Sequence, residues 1–270
     1  MMMPTTYLFV PGDRPERFAK AAASGADRII LDLEDAVRPD TKATARAAIL
    51  AATLDWSRVV VRINDAESPF FADDLAFLAD CPAAAIMLPK AETLNAMETV
   101  TTAVGRTVEL LPQIETVRGL ESVPKILSYP AAKRAVFGHL DFALDLGAAP
   151  EWEPLLYARS RLVALSRLAG AQPPVDSITI DIQDETRLRA DADAACKLGF
   201  GAKLLIHPAQ VAPTAEVFLP SADEIDWARR VLTVISEGAA GAVAVDGKMI
   251  DKPVEEAARR FLARAGAENI

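Results

Sequence analysis

The stretch "VELLPQIETVRGL", residues Val108 to Leu120, decides the fold. Apart from Glu109 at the edge, its first seven residues suit a buried strand. The run is continuous rather than alternating, which is the pattern of a parallel strand covered on both faces. A carboxylate, Glu115, arrives where the apolar run stops. An unpaired buried carboxylate is costly, so Glu115 needs a partner or water.

Outward from this stretch, seven more short β-rich runs recur along the chain. They are "YLFVPG" from Tyr7, "RIILDLED" from Arg28, "RVVVRIN" from Arg58, "AAIMLPK" from Ala84, "RAVFGHLD" from Arg134, "DSITIDI" from Asp176 and "AKLLIHP" from Ala202. A helix-like segment follows each strand, from "RPERFAKAAASG" after the first to "SADEIDWARRVLTVISEG" after the last. Several close on a glycine suited to a helix stop, at Gly25, Gly170, Gly199 and Gly238. Eight strands alternating with eight helices predict an α/β chain closed into a (β/α)8 TIM barrel. The alternative is an open, doubly wound sheet. Neither GxGxxG nor GxxxxGK[ST] is present, and "GFGAK" precedes a strand rather than following one. The loops after strands seven and eight, "QDET" and "HPAQ", are not glycine-rich, which argues against a sugar-phosphate barrel.

The chain has 270 residues, 51% of them hydrophobic, enough for a sizeable core without disulfides. A net charge of −9 makes it a poor general binder of phosphate backbones, and 6% aromatics offer no stacking platform for single strands. No run approaches the ~18 apolar residues of a membrane span, and the start lacks a signal-peptide pattern. The expectation is a cytoplasmic protein binding neither nucleic acid nor membrane. Two cysteines, Cys81 and Cys196, stand far apart. With only two histidines, little nitrogen or sulfur is left for a zinc site. Any bound metal should be held by oxygen, which points to magnesium or manganese.

Barrel chemistry gathers where strands end. Those ends supply Asp13 and Arg14, then Asp32, Glu34 and Asp35, then Arg62 and Asn64, Lys90, Gln113 and Glu115, His139 and Asp141, Asp181, and His207. Glu115 and Asp141 fall at matching positions of adjacent predicted strands. Two carboxylates side by side repel unless a proton or cation lies between them. A divalent ion would resolve this, and so would salt bridges to Arg62, Lys90 or Arg118. The Arg62 guanidinium suits a planar anion, either a substrate carboxylate or a structural partner such as Asp32 or Glu34. Arg14 and Lys20 could meet the phosphates of a long cofactor or simply be solvated. His139 and His207 fit hydrogen-bonded rim residues.

The last segment lies beyond the eighth helix. Two short apolar arms around Asp246-Gly247 predict a type I′ hairpin, and a helix follows near Pro253. The expected division is a barrel domain over residues 1–238 and a lid or oligomerisation extension over 239–270. Asp251 is placed to cap the final helix.

Together "LFVPGDRPERFAKA", "ADRIILDLEDAV", "VVVRIN", "IMLPKAE", "IETVRGL", "FGHLDFALDLG", "IHPAQV" and "GKMIDKP" resemble the citrate lyase β-subunit-like family of the aldolase/citrate lyase superfamily. The resemblance covers almost the whole chain. It implies a carbon–carbon lyase acting on 3-hydroxy-carboxyacyl thioesters such as citryl-, malyl- or citramalyl-CoA. It implies Mg2+, with Mn2+ as a substitute, held by Glu115 and Asp141. Arg62 would contact the substrate, with Arg14 also on the substrate side, and Asp251 would be the acid/base. It further implies a trimer, or a multiple of one, in which the C-terminal segment lies over an adjacent subunit's site. Rival outcomes for the same site are a malyl-CoA thioesterase, a metal-dependent pyruvate aldolase on free acids and a non-catalytic acyl-CoA binder. One departure stands out: many relatives have Gly-x-Glu-Asp on strand six, where this chain has Gly138-His139-Leu140-Asp141.

Overall fold

The computed structural model describes residues 3–236, 243–245 and 248–266. Its first compact unit, Thr5–Ala215, is a closed barrel of eight parallel strands in sequential order. The strands are β1 (Thr6–Pro11), β2 (Arg28–Asp32), β3 (Val59–Arg62), β4 (Ala85–Leu88), β5 (Glu109–Ile114), β6 (Val136–Phe137), β7 (Val175–Asp176) and β8 (Ala202–Leu205). β8 pairs back onto β1, with Tyr7 opposite Leu204, so no sheet edge remains.

Strand alternation divides the core in two. Tyr7, Ile30, Val60, Met87, Leu111, Val136, Val175 and Leu204 fill the barrel interior. The intervening residues, such as Leu8, Ile29, Val61, Ile86 and Leu110, pack outward under the helices. Both faces are covered, which is why the strands read as continuous apolar runs. The helices are α1 (Phe18–Ala22), α2 (Lys42–Leu50), α3 (Phe71–Leu78), α4 (Leu94–Val104), α5 (Val117–Ile126), α6 (His139–Leu146), α7 (Leu156–Leu168), α8 (Glu185–Leu198) and α9 (Val211–Phe218).

Three expectations change. β7 covers Val175–Asp176, so the strand read from Asp176 onward ends almost where it was expected to begin. Ile180 and Ile182 are exposed and belong to the following loop. Second, β6 stops at Phe137, and "HLD" opens α6 instead of closing the strand. Third, α9 follows "HPAQ" directly, before the helix read at Ser221.

The second unit comprises Glu216 onward together with the N-terminal residues before Thr5. It contains α10 (Ala222–Ser236), β9 (Val243–Val245), β10 (Lys248–Ile250) and α11 (Lys252–Arg264). Ala228 and Val231 of α10 bury against Ala258 and Leu262 of α11, and Trp227 meets Phe261 edge to face at 5.9 Å. α10 therefore groups with the C-terminal segment, in a compact unit that begins at Glu216. β9 and β10 pair antiparallel as expected of a hairpin, while Gly238 and the Asp246-Gly247 turn lie outside the described residues. Asp251 does cap α11, its carboxylate accepting from the Val254 N–H at 3.2 Å.

Candidate active site

At the C-terminal ends of β2, β3 and β5 the barrel interior turns from apolar to charged. Interior alternation carries Asp32, Arg62 and Glu115 to this level, and all three are buried. Arg62 forks onto Asp32, with both its Nε and its Nη2 2.7 Å from a carboxylate oxygen. Its Nη1 lies 2.8 Å from Glu34, and the guanidinium sits over the Phe9 ring. The structural partners foreseen for Arg62 are thus real, and Asp32 takes its bidentate edge. Although burial opposes ionisation, the Arg62 charge and hydrogen bonds hold Asp32 below the usual carboxylate range.

Glu115 follows β5 directly. Its Oε1 accepts from the Gln113 side-chain amide at 2.7 Å, and its Oε2 from the Lys90 backbone N–H at 3.1 Å. Gly138 is the reason it fits. A Cβ at that position would run into the Glu115 carboxylate. Register places Gly138 next to Glu115, since Ile114 pairs with Phe137. Glu115 and Asp141 are therefore not at matching strand ends as expected: Gly138 stands opposite Glu115, and Asp141 lies one helical turn further on. Its charge still reaches Glu115. Burial is the main cause pushing the Glu115 pKa up, Asp141 adds to it, and Arg62 opposes. Glu34 is pushed up in the same way by burial, with Glu115, Asp35 and Asp32 adding. Too many carboxylates share too little water here, and a proton or a cation is needed among them.

Lys90, expected at the rim as a candidate salt-bridge partner of these acids, is a cation among them. Burial works against its charge, but Glu34, Asp65, Asp141 and Glu115 outweigh it and raise its pKa. The remaining candidates lie elsewhere in the network. Arg14 is mostly exposed, with its Nε 3.8 Å from Asp13. Lys42 donates to the Leu33 and Glu34 carbonyls, bracing the β2 exit, while Arg38 pairs with Asp40. Asn64 turns to Asp74. The His139 ring bonds Ser177 at 2.5 Å, and burial, helped by Arg159, lowers its pKa to about 4. His207 accepts from the Ala209 N–H. Asp181 holds its own loop through the Gln183 N–H. Asp251 belongs to the second unit.

Between β1, α1 and the end of β8, sharing Phe9 with the Arg62 site, lies a cavity of about 400 Å³ also lined by Pro11, Arg17, Lys20 and His207. A larger depression of about 860 Å³ lies at the opposite ends of β4 and β5, around Arg106, Glu109, Tyr129 and Lys133, away from this chemistry. Among the described residues no group of three or more His, Cys, Asp or Glu is gathered for a metal.

A closed parallel barrel with a buried arginine and clustered carboxylates at its C-terminal rim places the chain among (β/α)8 barrels, whose chemistry gathers at that rim. The chain belongs to the HpcH/HpaI aldolase/citrate lyase family, whose model matches residues 5–208. This is a family of lyases. A citrate lyase subunit beta-like protein of Mycobacterium tuberculosis is 36% identical over 96% of this chain and 95% of its own length. An L-malyl-CoA/beta-methylmalyl-CoA lyase of Cereibacter sphaeroides is also 36% identical, over 90% of this chain and 89% of its own. A (3S)-malyl-CoA thioesterase of the same organism is 33% identical, over 97% and 94%. The crystal structure of M. tuberculosis CitE in complex with magnesium, acetoacetate and coenzyme A superposes with a TM-score of 0.87 at 34% identity, covering 98% of each chain. No described helix is long and apolar enough to cross a membrane.

Proposed function

We propose that this protein is a Mg2+-dependent carbon–carbon lyase that cleaves or forms a 3-hydroxy-carboxyacyl-CoA thioester of the malyl, citramalyl or citryl type. The observation that carries the reading is the buried Glu115, fixed by Gln113 and Lys90, with Asp141 adding negative charge beside it. The donor set fits a hard divalent ion. It is all oxygen, and both histidines are engaged elsewhere, His139 with Ser177 and His207 with its own loop. Glu115 and Asp141 would hold the ion, and bound there it would supply Lewis-acid stabilisation for charge developing on substrate oxygens. The relative's complex with magnesium and coenzyme A supports both ligands.

The chain's own groups do the rest. Arg62, locked by Asp32 and facing the acids, presents fixed positive charge to the substrate's carbonyl or carboxylate oxygen. Arg17 and Lys20 line the neighbouring cavity and suit CoA phosphates, and the exposed Arg14 is a further cation proposed for the substrate side. In cleavage a base takes the 3-hydroxyl proton, the C2–C3 bond breaks, and the electron pair stays on the thioester as an enolate. Asp251 protonates that enolate carbon, and in condensation it removes the same proton. Asp251 would come from the C-terminal segment of an adjacent subunit in a trimer.

Glu115→Ala and Asp141→Ala should each lose Mg2+-dependent cleavage of malyl-, citramalyl- and citryl-CoA while keeping the wild-type circular dichroism spectrum. Full turnover in either variant would sink the metal assignment. A thioesterase outcome would appear in the same assay as free CoA without an acyl-CoA product, and activity on free hydroxy acids would point to an aldolase.

A further inference from the structure

Among the described residues, Lys90 is the one non-glycine residue with positive φ, at 46°. Left-handed backbone disfavours any residue bearing a Cβ, and such outliers persist only where the surroundings enforce them. Here the enforcement is visible on both sides. Pro89 precedes Lys90 with its φ fixed by the ring. The next residue, buried Ala91, donates its N–H to the Gln113 carbonyl at 3.1 Å. Its own carbonyl is packed so closely under α5 that a Cβ on Gly119 would lie 2.9 Å from it. Clamped between these contacts, the chain leaves β4 by turning left, and the Lys90 N–H comes to point at Glu115 Oε2. Gln113 takes the other oxygen. One donor on each oxygen fixes the rotation of the carboxylate.

We propose that Lys90 is a positioning residue: its left-handed backbone aims a main-chain N–H at Glu115 and so orients that carboxylate for the divalent cation. This rests on the function proposed above, in which Glu115 is a metal ligand. The contribution lies in the main chain, so it should follow a substituent's tolerance of positive φ. Glycine adopts it freely and asparagine readily, alanine less so, and a β-branched residue least.

The test is calorimetric titration of Mn2+ into the full-length variants Lys90→Gly, Lys90→Asn, Lys90→Ala and Lys90→Val, with wild type alongside. All four remove the same charge, so differences among them report the backbone alone. Gly and Asn should agree within about twofold, Ala should bind several-fold more weakly, and Val about tenfold more weakly than Gly. A role confined to fold stability would shift the melting temperature across the series without moving Mn2+ affinity. Should Val fail to fold, the Gly-to-Ala comparison carries the same reading. Equal affinity in Gly and the most substituted folded variant would overturn the proposal. Crystal structures of those two variants separate it from the functional reading. If wild type binds no Mn2+, the metal assignment fails, yet a Glu115 carboxylate in place in the Gly variant and rotated in the other still upholds the positioning role. A carboxylate unmoved in both overturns it.

Discussion

Two residues, one without a side chain and one with too much charge for its surroundings, set the character of the site. Gly138 leaves the space that the Glu115 carboxylate occupies. Gly138→Ala should therefore weaken Mn2+ binding by about tenfold or more, because the carboxylate must swing out of a packed interior. Isothermal titration would show it, and unchanged affinity would mean that Glu115 has room the structure does not reveal. The crowded acids make a second expectation. Burial raises the pKa of Glu115 to about 8 and of Glu34 to about 9, from 4.5 for the free side chain. A raised carboxyl pKa favours folding fully below the unfolded value, and that contribution is lost as pH climbs through the folded one. The metal-free protein should lose thermal stability between about pH 5 and pH 9. Glu115→Gln should flatten the Glu115 share of that decline, and saturating Mg2+ should flatten it too. A melting profile in the Gln variant parallel to wild type would show that Glu115 is not a source of it. Asp32 is the contrary case. Its fork with Arg62 keeps it charged at the same depth, so the partner and not burial alone decides which acids hold protons.

Six of the eight strands and most of the helices were legible in sequence, because continuous β-branched and apolar runs survive in a sheet covered on both faces. β6 and β7 were the exceptions. Each holds only two ladder residues, and the polar groups after them bond locally instead: the Ser177 hydroxyl to the His139 ring, the Thr179 hydroxyl to Asp191. The alternating "SITIDI" looked like strand but exposes Ile180 and Ile182. α6 was hidden because its first turn, "HLD", was read as the strand's end. The candidate site divided similarly. Glu115 and Arg62 were visible as charges closing apolar runs, whereas the roles of Gly138, Gln113 and Lys90 depend on register and backbone torsion, which composition does not carry. Asp251 offers a test at this scale, since capping α11 and acid/base work are separable demands. Asparagine caps as well as aspartate, whereas alanine costs about 1 kcal/mol of helix stability. Asp251→Asn should keep CoA binding and melting temperature and lose turnover, while Asp251→Ala should lose both turnover and some stability. Wild-type turnover in the Asn variant would reduce Asp251 to a cap.

For the whole molecule, the barrel and the C-terminal unit are separately packed bodies, each with its own core. The proposed division of labour puts the cation ligands in one and the acid/base in the other, shared between neighbours in a trimer. Mixing is the direct probe. Glu115→Gln and Asp251→Asn chains, each inactive alone, should recover measurable lyase activity when refolded together, because some mixed assemblies join an intact barrel to an intact Asp251. No recovery, in mixtures shown by light scattering to have co-assembled, would place both groups of a site in one chain. The wider charge pattern agrees with a small anionic substrate. A chain of net charge −9 concentrates Arg62 and Lys90 inside the barrel's rim, with Arg17 and Lys20 along the adjoining cavity.

The left-handed turn at Lys90 also has a genetic reading. Lysine and asparagine codons differ only at the third base, whereas lysine to glycine requires two base changes. Drift away from lysine at this position therefore reaches the torsionally tolerant asparagine first, and the route to the unconstrained residue passes through arginine or glutamate. A mutational scan selecting for retained metal binding should find asparagine the most readily recovered replacement, so the geometry of one peptide unit would govern which descendants of this gene remain enzymes.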